Sequence, residues 1–409
     1  MTEIPAAPPR TELRFAEFVA MMALLMAMTA LSIDVMLPAL PYIRAEFAVA
    51  DPNSQQLVVT SYVVGFAIGQ LFQGPISDIF GRKPVLLVGL SIFALASFAC
   101  VVSDSFEGLL ASRFLQGLAN AAPRVVAVAV IRDVYGGRRM AEVMSFIMMI
   151  FIVVPVIAPS IGAAFLLVGS WHLIFAALCA IALAATVWTG MRLPETRPPE
   201  LRDPLSLAWL GGAFREVVAS RVTLGYTLAT GAIFGSLMGY INSSQQIFVE
   251  VYGLGALFPV IFGLVACAIA LASFFNSRFV MRLGMRRISH AALLGFVATA
   301  LFHLLVVLVA GQPPLWIFVL MLALSLFFFG LLMPNFNAIA MEPMGRIAGT
   351  ASSFIGCVTT ALAAIIGLYI GQLFDGTVFP LVAGFAACGL VGLALVLLTE
   401  RGRLFRSGA

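Results

Sequence analysis

The sequence predicts an all-α membrane protein, with twelve transmembrane helices arranged as two six-helix bundles of pseudo-two-fold symmetry. Three observations support this fold class: the composition, the number of long apolar segments, and a motif that occurs once in each half. Of the 409 residues, 62% are hydrophobic and 10% are charged, whereas soluble domains are about 45–50% apolar and about 25% charged. The composition therefore excludes a soluble enzyme, a disordered chain and a secreted disulfide scaffold.

Apolar segments that are long enough to cross a bilayer occur twelve times along the chain. Each transmembrane helix needs about 20 mostly apolar residues. The predicted spans, numbered one to twelve, are residues 18–38, 55–75, 84–102, 108–131, 143–166, 171–191, 222–243, 257–280, 288–310, 315–340, 347–371 and 378–399.

These spans divide the chain into five parts. Residues 18–191 and 222–399 form the predicted N-terminal and C-terminal six-helix bundles, and residues 192–221 form a proline-rich cytoplasmic linker between them. Residues 1–17 and 400–409 are predicted cytoplasmic tails. No loop is long enough to fold as an aqueous domain, so we expect no extramembrane active site and no enzymatic activity.

The basic residues orient the bundle. Cytoplasmic loops of membrane proteins are enriched in Lys and Arg. With both termini in the cytoplasm, 20 of the 23 basic residues fall on the cytoplasmic side, Arg44 falls on the opposite side, and Arg113 and Arg124 fall within a span. We therefore expect both termini to be cytoplasmic. The net charge of +4 reflects this topology and does not indicate a nucleic-acid partner.

A short basic motif marks the same place in both halves. Gly81, Arg82 and Lys83 lie between spans two and three, and the sequence Gly-Met-Arg-Arg at 284–287 lies between spans eight and nine. The two copies are about half a chain apart. Repeated halves are typical of transporters, in which the substrate and coupling-ion sites lie at the repeat interface near the bilayer midplane.

Residues 74–83 (GPISDIFGRK) resemble the loop motif of the major facilitator superfamily. Residues 32–41 (SIDVMLPALP), 113–117 (RFLQG), 132–135 (RDVY) and 348–353 (AGTASS) add further matches. Together these segments are similar to the Bcr/CflA, or bicyclomycin-resistance, group of drug:proton antiporters, and the resemblance extends over nearly the whole chain.

This resemblance implies a multi-pass transporter of the bacterial inner membrane, which exports small drug-like or metabolite compounds in exchange for protons by alternating access. A proton-coupled uptake symporter of the same fold is the alternative. The expected partners are a small-molecule substrate, protons and membrane lipid, and the expected assembly is a monomer. No cofactor is expected besides the proton gradient. The five cysteines lack metal-ligand spacing, so no metal site is expected.

Span five carries a variant of a motif found in antiporters of this kind. The resemblance assigns Pro155, Pro159 and Gly162 to this helix-five motif, whereas Ala158 and Ala163 stand where glycines are usual. Alanine is still small enough for close helix packing. The proline and small-residue pattern therefore favours export over uptake.

Three charged residues fall inside predicted spans, where a charge is costly and indicates a functional site. They are Asp34 in span one and Arg113 and Arg124 in span four. Asp34 and Arg113 are opposite in sign, and each lies roughly 6–8 Å below the external end of its span, at 1.5 Å per residue. We expect this pair to couple protons to transport, directly or through water. The alternative is an ion pair that only holds two helices together.

Span four carries a polar stripe. Gln116, Asn120 and Arg124 fall close to the face of Arg113 at 100° per residue. We expect this stripe to face a cavity. The predicted substrate-cavity residues are Gln116, Asn120, Arg124, Tyr62, Asn335 and Asn337. For the two asparagines of span ten, hydrogen bonds between helices are the alternative. Arg124 is expected to line the inward cavity and to favour substrates with an anionic group, with a structural contact as the alternative.

The resemblance implies a conformational latch at the cytoplasmic ends of the spans. Asp78 would face the positive N-terminal end of span eleven, and its basic neighbours would engage the end of span four. The predicted latch residues are Gly74, Asp78, Gly81, Arg82, Lys83, Arg132 and Asp133. The alternative is that these charges only set topology. In the second half Met281 takes the place of Asp78, so we expect no full latch there.

Overall fold

The structure is a computed structural model that describes residues 13–202 and 207–405. Fourteen α-helices and several short helical turns follow one another in these residues, and no strand occurs among them. The helices are α1 (Phe15–Asp34), α2 (Leu40–Glu46), α3 (Leu57–Phe80), α4 (Arg82–Val101), α5 (Phe106–Val134), α6 (Gly137–Val168), α7 (His172–Arg192), α8 (Leu207–Ala219), α9 (Arg221–Gln246), α10 (Phe258–Leu283), α11 (Met285–Ala310), α12 (Leu315–Met341), α13 (Ala348–Gln372) and α14 (Phe379–Thr399).

The long helices follow the order of the predicted spans. In the described residues, eleven helical segments have both the length and the hydropathy needed to cross a membrane. The remaining long helix, α6, has 32 residues, and its apolar part is the shorter segment Val153–Val168. The short helix α8 belongs to the linker. It packs against α13, where Val217 joins a small buried cluster with Met344 and Ile347.

Each half has its own helix contacts, and two helix pairs join the halves. In the N-terminal half, α3 and α4 pack on α5, and α1 packs on α6; in the C-terminal half, α9 packs on α13 and α14, and α11 on α12. The halves meet along α3 with α13 and along α6 with α10. We therefore expect the side chains that take part in transport to line any cavity between these two helix pairs.

Glycines set how closely the helices approach. A Cβ atom added to Gly117 of α5 would overlap the backbone carbonyl of Tyr62 in α3, and one added to Gly162 of α6 would overlap the carbonyl of Val35 at the end of α1. Only a residue without a side chain permits such an approach. Gly162 thus brings the helix-five motif, in which Pro159 is also buried, against the segment that carries Asp34.

Span one is not a continuous helix. The prediction of one helix through residue 38 was wrong, because α1 ends at Asp34 and the chain passes through a short turn at Leu37–Ala39 before α2 continues outward to Glu46. Proline at position 38 lacks a backbone N–H and disfavours a helical residue before it. Asp34 therefore lies at a break inside the membrane segment, deeper than the predicted position near its external end.

Candidate functional site

Asp34 lies at this helix break, where the two halves meet. Its side chain is 4% exposed, and it forms no ion pair with any residue of the described segments. Tyr240 of α9, in the other half, lies within electrostatic range of the carboxyl group. The Tyr240 hydroxyl is buried and has no hydrogen-bond partner among the described residues. Sequence reasoning missed Tyr240, because one tyrosine in an apolar span gives no distinguishing signal.

Arg113 is fully buried, but it does not bind Asp34. Its Nε donates to the carbonyl of Val58 at 3.0 Å, and its Nη2 donates to the carbonyl of Ser32 at 3.1 Å. Its guanidinium also bonds Gln116 and lies 4.6 Å from the centre of the Tyr62 ring. The expected direct contact with Asp34 is thus absent, because carbonyls and an amide already occupy the guanidinium. Arg113 instead fixes α1 two residues before the break.

The middle of the polar stripe faces other helices of the same half. Gln116 donates to the Ser97 hydroxyl at 2.7 Å, and Asn120 bonds the hydroxyl of Tyr62. Gln116, Asn120 and Tyr62 are all fully buried. Their predicted position on an open cavity wall was therefore wrong in this conformation, because these side chains are enclosed within the N-terminal bundle and bond Ser97 of α4 and one another.

A cavity of about 360 Å³ lies between the halves at the side that is predicted to be cytoplasmic, and we call it the cytoplasmic cavity. Its wall includes Arg124 and Gln70, together with Asn337 of α12 and Ser352 of α13. Arg124 is half-buried, and Asn337 is exposed. The structure thus places two of the predicted cavity residues on one open cavity.

Asn335 lies elsewhere, so its assignment to the cavity was wrong. Its side chain is buried and donates to Asn276 of α10 at 2.6 Å and to the carbonyl of Leu331 at 2.7 Å. These bonds match the alternative of hydrogen bonding between helices. Because α12 turns by about 100° per residue, Asn335 and Asn337 face opposite sides.

Amide side chains join the two halves at the ends that are predicted to be external, and we call this cluster the outer amide clasp. Gln56 donates to Gln246 at 2.6 Å, and Gln246 donates to Asn53 at 2.9 Å. Asn53 also donates to the carbonyls of Gln372 at 3.1 Å and Phe374 at 2.8 Å. The clasp comprises Asn53, Gln55, Gln56, Gln245, Gln246 and Gln372. These bonds close one end of the contact between the halves, whereas the cavity lies at the other end.

The predicted latch residues meet at the cytoplasmic side of the N-terminal half. Arg82 is 1% exposed and pairs with Asp78 at 2.7 Å and Asp133 at 2.9 Å. Gly81 precedes it with φ of 98°, which favours glycine. Asp78, Gly74 and Arg132 line the cytoplasmic cavity, whose opposite wall carries the first turns of α13. Arg82 thus reaches the end of α5, and Asp78 faces α13 across the cavity.

The linker also contributes to this cluster, which sequence reasoning missed. Glu195 accepts hydrogen bonds from the backbone N–H of Arg82 at 2.9 Å and of Lys83 at 3.2 Å. The carboxylate therefore caps the N-terminus of α4, where negative charge is stabilising. Arg197 in turn pairs with Asp78 at 3.3 Å. The available signal was the charged sequence PETR at 194–197, directly after span six.

The C-terminal half, in which no full latch is expected, carries a charge cluster of its own. Arg286, at the start of α11, pairs with Glu342 and Glu400, each at 3.3 Å. Glu342 follows α12, and Glu400 follows α14. These acids follow spans ten and twelve, as Asp133 and Glu195 lie at the end of span four and after span six, whereas Asp78 has no counterpart because Met281 takes its place.

Known proteins are similar to this chain in both sequence and fold. The Major Facilitator Superfamily model matches residues 22–368. The chain is 32% identical to the bicyclomycin resistance protein homolog of Haemophilus influenzae, over 94% of this chain and 96% of that protein. It is 28% identical to the multidrug resistance protein MdtL of Escherichia fergusonii, over 91% and 92%.

Among solved structures, the human organic anion transporter MFSD10 superposes with a TM-score of 0.68 at 20% identity, covering 95% of this chain and 99% of that one. This likeness concerns the fold alone. Together with the family match, it confirms the predicted all-α fold class, and the family and these two relatives are transporters rather than enzymes. The chain therefore belongs to the major facilitator superfamily and, within it, to the bicyclomycin-resistance type of multi-pass membrane transporters.

Proposed function

We propose that this transporter exports small drug-like or metabolite compounds across the bacterial inner membrane in exchange for protons. The observation that carries the proposal is Asp34, a buried carboxyl group at a helix break between the halves. Ionisable groups inside a membrane segment mark ion and proton pathways. Since movement of the halves changes the surroundings of Asp34, it changes the relative stability of the protonated and ionised forms.

The proton gradient supplies enough energy for such export. One proton that crosses a potential of 100 mV contributes about 2.3 kcal/mol, which supports roughly fifty-fold accumulation of a neutral compound. Arg113 holds α1 beside the break through the Ser32 carbonyl. Its role in this mechanism is to position Asp34, and the proton-carrying group is the carboxyl itself.

The predicted topology assigns the clasp to the outer side and the cavity to the cytoplasm, which supports an inward-facing conformation in a cycle of alternating access. Opening outward requires the hydrogen bonds of the outer amide clasp to break, because they join the turn before α3 to α9 and α13. Closing the cytoplasmic side brings Asp78 against the N-terminal end of α13. The two clusters therefore stabilise opposite states of one cycle.

A resistance and accumulation screen tests the direction of transport. An efflux-deficient strain that expresses this protein is grown with bicyclomycin and a panel of unrelated antibiotics, because the names of its relatives refer to bicyclomycin and multidrug resistance. Export predicts higher resistance and lower cellular accumulation of the transported compound. Lower resistance with higher accumulation would favour the uptake symporter instead.

Crosslinking the outer amide clasp is expected to stop transport. Asn53→Cys and Gln372→Cys are combined in a background in which the exposed Cys267 is replaced by serine. A short bismaleimide that joins the two thiols should lock the inward-facing form and reduce efflux to background. Each single-cysteine variant with the same reagent is the control. Undiminished efflux by fully crosslinked protein would show that this contact stays closed throughout the cycle.

Asp78→Asn is expected to favour the inward-open state. A charge at a helix N-terminus contributes up to about 2 kcal/mol, a factor of roughly 5–30 in the ratio of the two states. Distances between spin labels on the two halves should shift towards the inward-open distribution, and turnover should fall. Glu142→Gln, at an exposed acid on α6, is the matched control. An unchanged distance distribution would contradict a latch at Asp78.

A further inference from the structure

We propose that the cytoplasmic cavity contains an anion-binding subsite at Arg124, which takes a carboxylate, sulfonate or phosphate group of the transported compound. The inference rests on the proposed function only in that the ligand is the exported molecule. It assigns a substrate class to a cavity that the proton-coupling mechanism does not use.

The charges on the cavity wall favour an anion. In the described segments, the wall carries three arginines, Arg82, Arg124 and Arg132, and one acid, Asp78. Asp78 pairs with Arg82 and also with Arg197, and Arg82 pairs in addition with Asp133. These acids are thus engaged by Arg82 and Arg197. Positive charge therefore exceeds negative charge among the side chains of this wall.

Arg124 occupies the deep end of the cavity. It lies about 15 Å from the cytoplasmic end of α5, and Gln70 lies at the same depth in α3. Arg132 lies about 12 Å nearer the cytoplasm on α5, where it is exposed. An anion that enters from the cytoplasm therefore meets Arg132 first and Arg124 at the end of its path.

The remaining wall suits the rest of such a ligand. Asn337 and Ser352 offer polar contacts, and Val125 and Val128 offer apolar ones. The first turns of α13 also line the cavity, and a helix N-terminus adds positive potential. The volume of about 360 Å³ falls in the usual range of about 300–1,000 Å³ for small-molecule sites.

The chemistry of arginine makes this subsite selective. A guanidinium stays charged in any protein environment, and its planar fork binds carboxylates and sulfonates through two parallel hydrogen bonds. A neutral compound of the same shape gains only the apolar contacts. The cavity should therefore discriminate between two compounds that differ only in one anionic group.

A matched pair of fluorescent probes tests this selectivity. The probes are 1-anilinonaphthalene-8-sulfonate and its uncharged parent, N-phenyl-1-naphthylamine, and binding is measured on purified protein in phosphatidylcholine nanodiscs, with empty nanodiscs subtracted. Hydrogen bonds to charged groups predict that Arg124→Gln weakens sulfonate binding by roughly tenfold or more and leaves binding of the parent compound unchanged. Arg124→Lys should restore part of the loss.

The matched control is Arg287→Gln, an exposed arginine at the start of α11 that lies off the cavity wall, and it should not affect either probe. A second cavity variant, Asn337→Asp, keeps Arg124 in place and adds a negative charge, so it should weaken only the sulfonate. Equal loss of both probes in Arg124→Gln, or an unchanged affinity of the sulfonate in Asn337→Asp, would overturn the proposal.

Two further arms separate anion binding at Arg124 from proton coupling and from lipid binding. Binding is measured without a proton gradient, so a transporter that is not proton-coupled would still show the selectivity. Conversely, if the two probes bind equally well while proton-driven export is intact, the anion subsite is wrong and the proposed function still stands. Phosphatidylglycerol added to the nanodiscs should not displace the sulfonate. Displacement from the wild type but not from Arg124→Gln would mean that a lipid phosphate takes this site, and would contradict a substrate site.

Discussion

Asp34→Asn is expected to abolish proton-driven efflux while substrate binding remains measurable. Asparagine has nearly the shape of aspartate but cannot gain or lose a proton. The Asp34 side chain is buried at the end of α1. An acid on the protein surface therefore cannot carry the proton at this position. The measurement is efflux from proteoliposomes under an imposed pH gradient, paired with equilibrium binding of the same compound.

The control for this substitution is Asp104→Asn, which changes an exposed acid in the loop before α5 and should leave efflux unchanged. Asp34→Glu is the conservative variant, because it restores a titratable carboxyl group. Full proton-driven transport by Asp34→Asn would rule out Asp34 as the proton-carrying residue. Loss of binding together with transport would indicate that Asp34 contacts the substrate directly.

Arg82→Gln is expected to destabilise the folded protein by about 3 kcal/mol, near the lower end of the cost of breaking a buried ion pair. Arg82 joins Asp78, Asp133 and the hydroxyl of Ser77. Its removal leaves two carboxylates without their shared partner, although their side chains, at 24% and 16% exposure, keep some contact with water. Thermal unfolding in detergent should show a lower midpoint, and turnover should fall.

Lys83→Gln is the matched control for Arg82→Gln. It also removes one positive charge, but from the neighbouring residue, which is only half-buried. It should change the unfolding midpoint much less. Arg82→Lys should give an intermediate midpoint, since it keeps the charge but loses the guanidinium fork. Equal midpoints for Arg82→Gln and Lys83→Gln would contradict a central role for Arg82 in the cluster.

Helical periodicity predicted which residues share a face, but it did not predict what that face meets. Gln116 and Asn120 both lie on the stripe of Arg113, and the structure keeps them together. Their partners are Ser97 and Tyr62, on other helices of the same bundle. A polar face inside a membrane protein is satisfied either by neighbouring helices or by a water-filled cavity. The sequence alone does not distinguish these two environments.

The features that sequence reasoning missed depend on contacts between distant segments. Gln56 meets Gln246 from the other half, and Glu195 of the linker caps α4. In the sequence, both residues look like ordinary polar positions at the edge of a span. The helix break at Asp34 had a local signal, Pro38. The signal was missed because residues 18–38 already have the length and apolar composition of one complete transmembrane helix. The position of a residue along its helix was thus easier to predict than the residues that it contacts.

The proton movement that accompanies substrate movement tests the central claim most directly. Proteoliposomes are loaded with bicyclomycin, or with the compound that the resistance screen selects, and with the pH-sensitive dye pyranine. They are then diluted into compound-free buffer of equal pH, with the membrane potential clamped. Antiport predicts that the lumen acidifies as the compound leaves, and that Asp34→Asn abolishes this signal. An alkaline lumen would indicate symport, and no pH change during compound release would contradict proton coupling.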